Sequence, residues 1–344
     1  MFTIFSLCLL LAFSITTNNV LSAQTSSPPS STTKNQLQTM SDHVYTTQRK
    51  DNSLYDLQQN VTLPAGKDMT YVDVTRDGKI VAATSSVDNQ TFVFNGTNGK
   101  LVGKIKVGDI PKGVKITPDK KYAFVANELP GSVSIICLGD LKVIKEVKVG
   151  PMPHNIVFSP DESKAYVTIQ GGDKVVIMDT NTFEKKGEIQ DSKGPHNLDI
   201  TNDGKLLFVA NAASSDVAVI NATSLQTLKK IPVSLGHHGI DVSPDDKRVY
   251  VSGIGSDKVS VIDVGKLDLL KQITVGKGPH GIRASSDGKF LFVDVSSANK
   301  VVVIDANSLE IIKQHITQQA DNDYIRGLIH EYATKYPERK IVFN

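Results

Sequence analysis

An aspartate recurs every 42 residues along most of the chain, at Asp77, Asp119, Asp161, Asp203, Asp245 and Asp287. It stands in TRDGK, TPDKK, SPDES, TNDGK, SPDDK and SSDGK, where Pro or a small polar residue, then Asp and often Gly, specify a tight turn. Runs of period-two alternation flank each turn, IVF before and AYVTI after being one pair, and each unit continues through a run such as VVIMD or VSVID. A Leu-containing turn and a fourth run such as KVIKEVKVG complete it. Four short strands per unit predict one antiparallel sheet per unit. Such a sheet is apolar on both faces and must stack against its neighbours. Radial stacking leaves no long free edge, whereas an open solenoid needs polar capping repeats that the sequence does not show.

Residues 45–344 hold about seven such units. The expected fold is all-β, a seven-bladed β-propeller of four-stranded antiparallel blades, its last blade closed by both chain ends. Val44–Thr47 and Leu54–Leu63 are expected as the third and fourth strands of that blade, and Tyr324–Asn344 as its first two. Tyr324, Ile325, Leu328, Ile329 and Tyr332 fall at helical spacing, so six blades plus a C-terminal helix is the alternative.

Ahead of the repeats, the apolar run Phe2–Ile15 followed by Leu21-Ser22-Ala23 reads as a signal peptide over residues 1–23, with an uncleaved anchor as the alternative. Residues 24–43 are rich in Ser, Thr and Pro and predict a disordered tether before the propeller at 44–344. A secreted or cell-surface location follows from this reading, and sequons at Asn60, Asn89, Asn95 and Asn221 suit a glycoprotein. Cleavage near Ala23 leaves Cys137 as the one cysteine, which precludes an internal disulfide. The 38 basic and 36 acidic residues nearly cancel, giving no electrostatic case for nucleic acid or a membrane surface. No stretch of the mature chain is apolar for long enough to span a membrane as a helix.

The repeat units resemble the YVTN family of β-propeller repeats, whose pattern combines a Pro-x-Gly start, a Ser-Pro-Asp-Gly-Lys turn, a Tyr-Val-x-Asn strand and a Val-x-Val-Ile-Asp strand. Ala165–Ile169 reads AYVTI, FVAN begins at Phe124 and at Phe208, and VID begins at Val261 and Val303. The resemblance covers residues 67–313 and implies an architecture shared by surface-layer proteins, lactonase-like enzymes and the haem-carrying propeller of nitrite reductases, so function rests on the site.

One repeat position exceeds what architecture needs. His154, His196, His238 and His280 occupy the start of the expected innermost strand, where earlier units have Thr70 and Lys112; if RGL in the tail answers HGI, four residues late, Arg326 completes the ring. The 42-residue register predicts that these side chains ring one mouth of the channel. Two readings follow: a transition-metal site, copper or zinc, at the four histidines, or a cationic seat for a small anion or cofactor formed with Lys112, Arg326 and Thr70. The plain alternative is a histidine bonding its neighbouring blade's loop. Three positions on, Asp73, Lys115, Val157, Asp199, Asp241 and Arg283 predict a wet channel, with Asp73–Lys115 and Asp241–Arg283 pairs between adjacent blades. Motifs for covalent haem, phosphate binding and a serine nucleophile elbow are absent. The expected function is therefore a binding or scaffold module for a protein or small ligand rather than an enzyme. A metal- or cofactor-dependent redox enzyme or lactone hydrolase at the same mouth is the alternative.

Overall fold

The computed structural model describes residues 45–316 apart from 49–51, 57–60, 76, 191, 286 and 299, and only the backbone at 46, 48, 55, 56, 237, 238, 313, 315 and 316. Seven antiparallel sheets follow one another along the chain, the first of three strands and the other six of four. The fold is the expected all-β, seven-bladed propeller, its blades numbered here 1 to 7 in chain order.

The innermost strands of blades 2 to 7 are Met69–Val74, Pro111–Ile116, Pro153–Phe158, Pro195–Ile200, His237–Val242 and Pro279–Ala284, each beside the next. Second strands such as Lys164–Ile169 and Leu206–Asn211 are buried along almost their whole length, while a fourth strand such as Lys142–Lys148 is mostly exposed. The core therefore lies between blades. Phe124, Val133 and Ile135 of blade 3 pack on Ile156, Val167 and Met178 of blade 4, and no blade could bury these residues by itself.

The repeated aspartate does turn chemistry. Its Oδ1 accepts a hydroxyl from the Ser or Thr two residues earlier and a backbone N–H from the residue two later, in each unit from Asp77 to Asp287. Two sequon asparagines do likewise: Oδ1 of Asn95 and of Asn221 accepts the N–H of Thr97 and of Thr223. Asn89 instead joins blades, its Nδ2 donating to Asp109 at 2.8 Å.

Blade 1 corrects the expectation for the chain's start. Residues 44–63 do not supply two strands; the segment forms three, Tyr45–Gln48, Ser53–Asp56 and Val61–Pro64. The 54–63 stretch is long enough to double back, so Leu54 pairs with Leu63 while Tyr45 pairs with Asp56. Asn52 at φ 54° supplies the left-handed turn residue of the first hairpin. Val44, the tail Tyr324–Asn344 and the N-terminal residues 1–43 lie outside the described residues.

Each innermost strand of blades 2 to 7 slips register at its start, between Met69 and Tyr71, Pro111 and Val114, Pro153 and Ile156, Pro195 and Leu198, His237 and Ile240, and Pro279 and Ile282. In blades 3 to 7 the slip falls on the histidine position and its follower, and in blade 2 on Thr70 alone. A bulge leaves these residues off the ladder and re-aims their side chains, and a leading Pro, having no N–H to give, suits a strand start.

Candidate functional site

The innermost strands enclose a cavity of about 380 Å³, lined by polar residues including Tyr71, Asn155, Asn197, Asp199, His280 and Arg283. At its deeper level the expected inter-blade pairs form. Lys115 Nζ lies 3.0 Å from Asp73 Oδ1, and Arg283 Nη1 lies 2.6 Å from Asp241 Oδ1. The second oxygen of each acid reaches the following blade's backbone: Asp73 Oδ2 accepts Ile116 N–H at 2.8 Å and Asp241 Oδ2 accepts Ala284 N–H at 2.7 Å. Asp199 Oδ2 makes the same bond to Val242 N–H at 2.8 Å. Each of these carboxylates thus fastens one blade to the next as well as facing the channel. Burial pushes the Asp199 carboxyl up to about 6, aided by the Asp241 charge and opposed by Arg283.

Nearer the mouth, the structure brings two of the four histidines into contact. The His154 and His196 rings, both buried, have centroids 3.8 Å apart. His154 is held from two more sides. Its Nδ1 is 3.3 Å from Glu128 Oε1, and its Nε2 is 3.1 Å from the Tyr71 hydroxyl. A carboxylate can only accept, which assigns the proton to Nδ1 and leaves Nε2 to accept from Tyr71. Tyr71 lines the cavity, so it connects the channel with the His154–Glu128 pair behind it. Lys112 Nζ stands 3.8 Å from Glu128 Oε2. Burial raises the Glu128 carboxyl and the Lys112 charge opposes that rise.

The other expected site residues divide as follows. Thr70 directs its hydroxyl at the backbone carbonyls of Asp68, Thr84 and Pro111, at 3.4 to 3.5 Å. His280 lines the cavity. The His238 side chain and all of Arg326 lie outside the described residues. Among the described residues, no three His, Cys, Asp or Glu side chains gather as a metal site. Asn127 and Asn211 bond within their own blades, to Ser134 at 2.8 Å and to Asp216 at 2.8 Å.

The backbone at the histidine position is gripped in alternate blades. Thr84 Oγ1 donates to the Lys112 carbonyl at 2.7 Å, Thr168 Oγ1 to that of His196 at 2.8 Å, and Ser252 Oγ to that of His280 at 2.5 Å. The same position in the blades between holds Ala126 and Ala210, and in blade 7 it holds Asp294. The glycine after a histidine has a steric cause: a Cβ on Gly239 would lie 2.6 Å from the His280 carbonyl oxygen of the next blade.

Sequence reasoning missed Glu128. It follows the second strand of blade 3, where other units have Ser86, Gln170, Ala212, Ile254 and Ser296. Being the one acid in that series was the signal available.

Among the solved structures that resemble the chain are two from bacteria. The hydrazine synthase of Kuenenia stuttgartiensis matches with a TM-score of 0.64 and 23% identity over 74% of this chain and 81% of that one. A functionally unknown protein from Desulfotomaculum acetoxidans DSM 771 matches with a TM-score of 0.68 and 18% identity, over 79% of this chain and 94% of that one. At these identities the likeness concerns the fold. No curated protein matches significantly. The family model for lactonase, seven-bladed β-propeller, matches residues 139–311, just over half of the 344-residue chain. With half its length matched and seven blades in place, the chain belongs to the lactonase seven-bladed β-propeller family.

Proposed function

We propose that this is an exported propeller with YVTN-type repeats that binds a small polar molecule in its central channel. The observation that carries the reading is the cavity itself, about 380 Å³ with amide, carboxylate, imidazole and phenol groups converging on it. Concave sites with a few convergent polar groups are where small ligands bind. The anion expected at the mouth has less support, because Glu128 already faces Lys112. A metal ion at His154 would have to displace Glu128 or Tyr71, since both ring nitrogens are engaged.

One observation favours a second reading, hydrolysis of a cyclic ester. Tyr71, His154 and Glu128 form a hydrogen-bonded chain with its phenol end at the channel, an arrangement that can move a proton to or from a bound ligand. An NMR titration with a simple δ-lactone tests both readings. Binding should shift the Asn155 and Asn197 side-chain amide signals, and hydrolysis should release the hydroxy acid at a rate that Tyr71→Phe cuts at least tenfold. Unmoved amide signals with every neutral, cationic and anionic small molecule tried would remove the channel reading.

The leader and tether read in residues 1–43 support export. The mature chain is expected to begin near Gln24, and intact-mass spectrometry of native protein checks this; a soluble form retaining Met1 would contradict it.

A further inference from the structure

We infer that the channel takes a ligand carrying a single positive charge on nitrogen, an ammonium or guanidinium group, seated against Asp199. The inference rests on the channel being the binding site.

The cavity lining holds three carboxylates, Asp73, Asp199 and Asp241, but two permanent cations, Lys115 and Arg283. Both cations are engaged, Lys115 with Asp73 at 3.0 Å and Arg283 with Asp241 at 2.6 Å. In each pair the base stands one blade after the acid, 42 residues on. The residue 42 beyond Asp199 is Asp241, another acid, and the residue 42 before it is Val157. The repeat register therefore leaves Asp199 without a basic side chain in contact among the described residues. Its oxygens are fixed by two backbone donors, Ile200 N–H at 2.9 Å and Val242 N–H at 2.8 Å. Those bonds orient the carboxylate without neutralising it, and each oxygen keeps a lone pair for a ligand.

The surroundings suit such a group. Asn155 and Asn197 line the cavity one step nearer the mouth, Asn155 Nδ2 donating to Asn197 Oδ1 and Asn155 Oδ1 accepting Ile156 N–H, so their amides report on what enters. Val157 gives an apolar wall against which the carbons of an alkylammonium can lie. The titratable and charged groups facing this seat are Asp241, Arg283, Asp73, Lys115, His280 and Tyr71. Protonation of His280 would cancel the surplus negative charge, and protonation of Asp199 would remove it, so both make the seat weaker for a cation as pH falls. Burial holds the Asp199 carboxyl up to about 6, so its ionised share falls as the pH drops from 7.5 to 5.0.

Ethanolamine, ethylene glycol and glycolate make a matched cationic, neutral and anionic set for an NMR titration of the full chain. Ethanolamine should shift the Asn155 and Asn197 amide signals at pH 7.5 and bind about tenfold more weakly at pH 5.0. Asp199→Asn should abolish that binding. So should Val157→Lys, which tethers an ammonium beside Asp199 while leaving both backbone donors their acceptor, and which covers the case that Asp199→Asn fails to fold. Glycol or glycolate binding as well as ethanolamine would overturn the cation inference and leave the channel reading standing. Silence with all three probes would remove both. Ethanolamine binding that survives in a folded variant of either kind would also overturn the inference.

Discussion

Deletion of residues 44–63 is expected to lower the melting temperature by tens of degrees or to prevent folding. Tyr45, Leu54 and Leu63 are almost wholly buried against Met69, Val81, Phe92 and Phe94 of blade 2. Each large side chain removed forfeits roughly 1.5 to 3 kcal/mol of burial, so three forfeit roughly 5 to 9 kcal/mol. The blade 2 face they covered is then exposed to water as well. A loss of that size rivals the total stability of about 5 to 15 kcal/mol common to folded domains. The milder variant Tyr45→Phe keeps the ring and loses the hydroxyl bond to the Gly96 carbonyl, at about 1 kcal/mol. Thermal unfolding followed by circular dichroism distinguishes the two. A truncated chain that melts within a few degrees of the intact one would show that blades 2 to 7 stand without blade 1.

Arg283→Gln is expected to destabilise the protein by about 2 to 3 kcal/mol at pH 7.5 and by much less at pH 5. Breaking a fully buried ion pair costs about 3 to 5 kcal/mol; the Arg283 side chain is 32% exposed, which moderates that loss. What remains is Asp241 without its ion-pair partner, beside Asp199, whose raised carboxyl the Arg283 charge had opposed. Asp199 already holds its proton up to about 6 in the folded protein, above the ordinary carboxylate value. A carboxyl raised in this way favours the folded state below the unfolded value, and that contribution is lost as pH rises through the folded value. Removing Arg283 takes away the charge that opposes this rise, so the Asp199 carboxyl moves further up. The deficit should therefore be largest above pH 7 and shrink as Asp199 takes up its proton. Denaturant melts at the two pH values measure it, and a deficit equal at both would mean that Arg283 acts through packing alone.

The fold was legible because a strict 42-residue register repeats both the turn chemistry and the strand alternation, so that each blade restates the same instruction. The Asp73–Lys115 and Asp241–Arg283 pairs were legible for the same reason, since equal repeat positions on successive innermost strands must be neighbours. Blade 1 was not legible in full, because Leu54 to Leu63 alternates as well for one long strand as for a hairpin. Glu128 escaped because its partner His154 lies across a blade boundary, 26 residues on, and nothing in a loop position of varying residue type marks a long-range contact. The second oxygens of the channel aspartates escaped too. Their acceptors' partners are backbone N–H groups, which every residue but proline carries and which no sequence pattern reports.

The hydroxyl grip on the histidine-position carbonyls has a parity. Thr84, Thr168 and Ser252 alternate with Ala126 and Ala210, so the channel wall repeats in pairs of blades, yet seven blades cannot be tiled by pairs. The mismatch shows at Asp294, where neither a hydroxyl nor an alanine stands; its carboxyl bonds Ser296 within its own blade, and burial raises it to about 6. An averaged repeat, in which every blade received the commonest residue at each position, would write one instruction where the ring uses two. It would either strip three carbonyls of their donors or put hydroxyls where Ala126 and Ala210 are fully buried.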